Sequence, residues 1–170
     1  MWHDQYIQSK DCKDTHAQQS IYMDSESGRI LRTTRGRLMK KMFYVFPDPM
    51  GDTMCKIGIT GNARMRLSVY GMSYSNRKYQ ARFQVVYWGS AKAIESLETV
   101  LKTRYDEHIE PSEGRTEWIR EHTVEQLETD IDAVIDGHKF KVYKLPLDLL
   151  PLTLDNLATV KQYIEESSKK

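Results

Sequence analysis

Apolar positions along the chain fall into short runs of β character and longer stretches with a helical period. Phe43-Tyr44-Val45-Phe46 is aromatic and β-branched and ends at the turn-forming cluster Pro47 to Asp52, after which Met54 to Ile59 resumes as a second strand. Two such runs across a short turn predict an antiparallel hairpin with Tyr44 and Lys56 on neighbouring strands. Thr60 or Asn62 supplies the side-chain oxygen that caps a following helix. That helix is expected to end at Gly71, with Met65, Val69 and Met72 on one face and Arg66 and Tyr70 one turn apart beside it. Ser73 to Lys78 reads as loop and Arg82 to Trp88 as strand; Ser90 then opens a helix in which Ile94, Leu97, Leu101 and Tyr105 recur with a helical period. After the loop from Pro111 to Arg115, Thr123 caps a helix whose apolar positions are Val124, Leu127, Ile131, Val134 and Ile135, stopped by Gly137.

The flanks are less regular. The first twenty residues are polar and aperiodic, and Ile21-Tyr22-Met23 and Ile30-Leu31 flank a segment ending at Gly28, which predicts a short hairpin. Beyond Gly137, Phe140 to Leu145 is a further strand candidate, Pro146 and Pro151 break the path, and Leu154 to Ile164 is amphipathic. The predicted fold class is α+β: a small three-stranded antiparallel sheet flanked by helices. It is organised as a polar arm and basic segment (1–40), a central domain (41–137) and an accessory C-terminal strand and helix (138–170).

Charge changes this picture more than composition does. The net charge of +1 gives no general affinity for polyanions. The distribution is nevertheless polarised: Arg29, Arg32, Arg35, Arg37, Lys40 and Lys41 cluster without an intervening acid, whereas acids gather between Asp106 and Asp136. No run approaches the roughly 18 consecutive apolar residues of a membrane span, and the N-terminus lacks a signal-peptide pattern, so a cytoplasmic protein without a membrane partner is expected. Cys12 and Cys55 lie far apart and form no metal or disulfide pattern; Cys55, inside an apolar run, reads as a buried thiol. The five His residues are scattered without metal-ligand spacing.

Phe43-Tyr44 on one strand, Lys56-Ile57-Gly58 on the next, Arg66, then Glu98 on a helix and Glu117-Trp118 beyond it form an ordered series. In this order and spacing the segment from Met42 to Gly137 resembles the GIY-YIG nuclease superfamily, and within it the phage-associated branch with a Lys-Ile-Gly second motif. The resemblance implies a metal-dependent endonuclease that hydrolyses DNA phosphodiester bonds. The first motif here lacks the family's Gly and Ile, Lys56 replaces the second Tyr, and Lys102 stands where many members of the branch carry His.

The roles implied follow from what phosphodiester hydrolysis needs: an activated water, charge neutralisation and a stabilised leaving group. Glu98 holds Mg²⁺, or another divalent cation such as Mn²⁺, with Glu95 one turn earlier as the rival carboxylate. Arg66, rather than Arg64, pairs with the scissile phosphate. Tyr44 is the proton acceptor, its phenol lowered by neighbouring cations, or else Lys56 is the base and Tyr44 positions water; Tyr70 contributes its hydroxyl or closes the core. Trp118 is expected to cover the sheet edge, and Gly58 to permit close backbone approach or a bulge. DNA phosphates are met by Arg29, Arg32, Arg35, Arg37, Lys40 and Lys41, joined by Arg77 and Lys78 in the loop after the first helix. The competing readings are a nucleic-acid-binding regulator that has lost cleavage, and a protein-interaction module.

Overall fold

A computed structural model of the chain describes residues 20–23, 30–33, 40–49, 54–73, 80–109 and 118–169. The chain divides into two units, Met1–Arg37 and Leu38–Lys170. In the first, β1 (Ser20–Met23) and β2 (Ile30–Thr33) form the expected antiparallel hairpin, Ser20 opposite Thr33 and Met23 opposite Ile30.

In the second unit, β3 (Lys40–Pro47) carries four consecutive buried residues, Phe43 to Phe46. Side chains alternate across the pleat, so a strand that is apolar at every position is one covered on both faces. It lies accordingly at the centre, between β4 (Met54–Thr60) and β5 (Val85–Ser90). The edges are β6 (Trp118–Arg120), antiparallel to β4, and β7 (Val142–Lys144), antiparallel to β5. The sheet therefore has five strands, in the order β6-β4-β3-β5-β7, and not the expected three. Of the two additional strands, β7 falls within the Phe140 to Leu145 strand candidate and joins the sheet as its edge, whereas β6, three residues long, is too short to show a period and is recruited by backbone hydrogen bonds to β4.

Four helices cover the sheet: α1 (Ala63–Ser73), α2 (Ala91–Arg104), α3 (Val124–His138) and α4 (Leu157–Ser167). Ser90 caps α2 by accepting from the Ala93 N–H, and Thr123 and Gln126 close a reciprocal capping box on α3. α3 runs through Gly137, which was expected to stop it, and ends where Lys139 turns into the left-handed region at φ 54°.

Each face of the sheet has its own core. Phe43, Val45, Cys55, Ile57, Val85 and Tyr87 pack with α2 and α3 through Ile94, Leu97, Leu101, Leu127, Ile131 and Val134. Tyr44, Phe46, Val86 and Trp88 pack with α1 and α4 through Ala63, Leu67, Tyr70, Leu157, Val160 and Ile164. α1 buries Ala63, Leu67 and Tyr70, leaving the Met65, Val69 and Met72 face exposed, because the aromatic Tyr70 has a partner on the sheet and the methionines have none. The C-terminal segment set apart as accessory supplies both an edge strand and a helix of the core.

Candidate active site

Tyr44 lies opposite Gly58 in the β3–β4 ladder, and the missing side chain at Gly58 is what admits its ring. A Cβ there would stand 2.6 Å from Tyr44 Oη and 2.8 Å from its Cζ, well inside van der Waals contact. Phe83 stacks on the ring from another side, with centroids 4.0 Å apart and planes 12° from parallel. The phenol so held ends 2.8 Å from the Tyr70 hydroxyl, a buried hydrogen bond between β3 and α1. Phe46 pairs with Lys56 two residues along, which places Lys56 on the same face as Tyr44. The Lys56 ammonium lies 5.6 Å from the Tyr70 ring centroid and 5.9 Å from that of Trp118, its partner on β6, so two aromatic faces orient the cation. Tyr44 is 1% exposed and Tyr70 8%, making Tyr70 the member nearer to solvent.

Arg66 is half-buried on α1, one turn before Tyr70. Glu98 is on α2, whose buried residues belong to the opposite face of the sheet from Tyr44. The residues expected to act together therefore divide between two layers, Tyr44, Lys56 and Arg66 on the α1 side of the sheet and Glu98 on α2 at the other. The cause is local: Ser90 turns the chain from β5 directly into α2, whose stripe of Ile94, Leu97 and Leu101 seals the Phe43 and Val45 face. What the layers share is the edge of β4. β6 pairs only with Met54, Cys55 and Lys56, so Ile57 to Thr60 has no strand beside it on that side among the described residues.

Glu98 forms an ion pair with Lys102 at 3.2 Å, and its side chain is 15% exposed; Glu95, at 53%, pairs with Lys41 across from β3. The more enclosed carboxylate is thus Glu98. Among the described residues no group of three or more His, Cys, Asp or Glu converges on a metal position. A single carboxylate fits only a hard cation that draws most of its oxygens from water and substrate, with Lys102 displaced to admit it.

Cys55, Tyr87 and Tyr105 are all held towards their protonated forms. Burial, with Glu125 and Asp48 nearby, pushes the Cys55 thiol up to about 12, and its sulfur lies 3.5 Å from the His122 carbonyl oxygen. Burial and a hydrogen bond to a carboxylate push Tyr87 up beside Asp132 and Tyr105 up beside Asp130. Of the basic residues, Lys40 is exposed with its ammonium 5.0 Å from the Trp88 ring, and Lys41 is held by Glu95. The backbone of Arg32 is in β2, within the other unit; Arg29, Arg35, Arg37, Arg77, Lys78 and Glu117 lie outside the described residues. Phe83 and the Lys56–Trp118 contact were not anticipated, since stacking between residues distant in sequence leaves no periodic signal.

No helix among the described residues is long and apolar enough to cross a membrane. The T5orf172 domain family model matches residues 41–136, more than half of the chain. No curated protein and no solved structure matches it.

Proposed function

The chain belongs to the T5orf172 domain family, and from that premise we propose that it acts on DNA as a metal-dependent endonuclease of the GIY-YIG type. The observation that supports this best is the Tyr44–Tyr70 hydroxyl pair at 2.8 Å beside Lys56, seated where Gly58 lacks a side chain. In this reading a DNA strand lies along the Ile57 to Thr60 stretch of β4, beside which no strand pairs among the described residues. Arg66 pairs with the scissile phosphate through its planar fork. In the reactive state Tyr44 is a phenolate: the attacking water passes its proton to the Tyr70 oxygen while Tyr70 passes its own proton to Tyr44; alternatively an unprotonated Lys56 amine takes the proton. Glu98 would be the residue to hold Mg²⁺ or Mn²⁺, exchanging its Lys102 partner for the ion, and the metal would supply neutralisation of charge on the phosphoryl oxygens.

A second reading, a DNA-binding regulator without cleavage, is favoured by one specific feature: Glu98 is ion-paired to Lys102 on the layer opposite Tyr44. Plasmid DNA incubated with the protein, with and without Mg²⁺, separates the two when nicking and mobility shift are followed together. The endonuclease nicks at millimolar Mg²⁺ and loses nicking but not the shift in Glu98→Ala and Tyr44→Phe. A shift without nicking by the wild-type chain selects the regulator, and neither signal removes DNA as the partner.

A further inference from the structure

The outward face of α1 is apolar. Met65, Val69 and Met72 recur there at helical spacing and are exposed, from 41% at Val69 to 69% at Met72. Arg64 and Arg66 each stand about 100° round the helix from Met65, one on either side, so the stripe has a basic rim on both flanks. α1 contains no acid, and among the described residues neither guanidinium has an ion-pair partner. Round the helix, Arg66 falls between this stripe and Tyr70, so the apolar face adjoins the candidate site directly. Near its C-terminal end, Gly71 and Met72 line a groove of about 420 Å³ together with Leu154, itself 40% exposed. Asp155, at the same groove, accepts a hydrogen bond from Gln80 at 2.7 Å.

We propose that this face receives the unpaired bases of a DNA strand whose phosphate Arg66 holds, so that the favoured substrate carries a single-stranded segment beside the cleaved bond. This rests on the reading of the chain as one that acts on DNA. Duplex DNA turns its phosphates outward and keeps its base faces in the stack, so against it the exposed methionines and Val69 would only strip water from charged groups. An unpaired base offers a flat apolar face beside a charged backbone, which is what an apolar stripe between two guanidinium groups matches. Methionine suits the contact, being unbranched and polarisable with a sulfur that packs favourably on aromatic rings. From Met65 to Met72 the helix rises about 10 Å, room for two or three stacked bases. In the groove beyond, Asp155 repels phosphate and has capacity left to accept from a base amino group. The same charges disfavour a second copy of the chain as occupant. A two-fold pairing of identical α1 faces would set Arg64 and Arg66 against their own counterparts, with no acid on the helix to pair them.

The test uses the full chain without metal, so that binding is read apart from cleavage. Fluorescence anisotropy compares a labelled duplex with the same duplex carrying a short single-stranded gap, at one salt concentration, and the gapped DNA is expected to bind about tenfold more tightly. Met65→Gln combined with Met72→Gln, both exposed and so tolerated by the fold, should remove that preference while leaving duplex affinity and its salt dependence unchanged. The chain is also labelled with ¹³C at the methionine methyls, with Met65 and Met72 assigned from the single Gln variants. Their signals should move upfield on adding gapped DNA, because a methyl group over a base is shielded by its ring current, and should stay in place with the duplex. Equal affinity for the two DNAs overturns the proposal, as do methyl signals that gapped DNA leaves unmoved. So does self-association of the free chain that the double variant abolishes. Absence of nicking with the preference intact would overturn the nuclease reading alone, whereas binding to neither DNA would overturn both.

Discussion

At Gly58 the requirement is steric and not conformational. Gly58→Ala places a methyl group against the Tyr44 phenol at 2.6 Å, so the ring must move off Phe83 or away from Tyr70. Overpacking of this kind costs about 1–3 kcal/mol, to be read from denaturant midpoints. The same substitution in a Tyr44→Phe background should cost less, because the closest clashing atom is gone, and the two changes are therefore non-additive. Tyr44→Phe alone removes the phenol that Tyr70 meets in a buried setting, a loss of about 1–3 kcal/mol. A Tyr70 hydroxyl already satisfied elsewhere would show as no loss of stability and would detach this pair from the fold. The placement of Tyr44 and Lys56 on neighbouring strands was legible in the sequence, since two apolar runs across a turn imply pairing, but the register that sets Tyr44 opposite Gly58 was not. The Tyr44–Tyr70 contact was legible only as a choice between catalytic and core roles for Tyr70, because it depends on which face α1 turns inward.

That choice of face is where local pattern fails at the level of elements. α1 has Ala63, Leu67 and Tyr70 on one side and Met65, Val69 and Met72 on another, so periodicity alone offers two apolar stripes. Aromatic partners on β3 select the first. Met65→Gln and Met72→Gln should accordingly each change stability by no more than about 0.5 kcal/mol, whereas Leu67→Ala should cost roughly 2–5 kcal/mol in the same unfolding experiment. Equal costs would mean that the methionine face is covered in solution. α2 and α3 were read from period and caps, as each has a single stripe and a polar N-cap, although α3 continues past the Gly137 expected to stop it. α4 was read as a helix but not as part of the core, since an amphipathic pattern announces that a face will be buried without saying against what. Leu157→Ala, at the first turn of α4, should cost about as much as Leu67→Ala.

For the molecule as a whole, the groups with resolved upward shifts all hold their protons more tightly when folded. Cys55 rises from 9.0 to about 12; Tyr87 and Tyr105 rise through burial and their carboxylate partners. For Lys144, burial acts downward but hydrogen bonds to Asp132 and Glu128 outweigh it and raise the ammonium. In each case the unfolded chain releases the proton first, so stability is retained below the unfolded pKa and falls as pH rises towards the folded one. Unfolding midpoints should begin to fall above about pH 9, steepen above about pH 10, and in Cys55→Ala start to fall about one unit later. A midpoint that stays level to pH 11 would contradict the burial of these groups. The family match spans 41–136, whereas α4, which helps to cover Tyr44 and its neighbours, is Leu157–Ser167. Synthesis runs from the N-terminus, so every residue of the β3–β4–α1 cluster leaves the ribosome before the helix that closes over it. A nascent chain paused short of Leu157 presents Phe46, Phe83 and Trp88 without their cover, and chaperone capture should peak at that length and vanish once α4 has emerged.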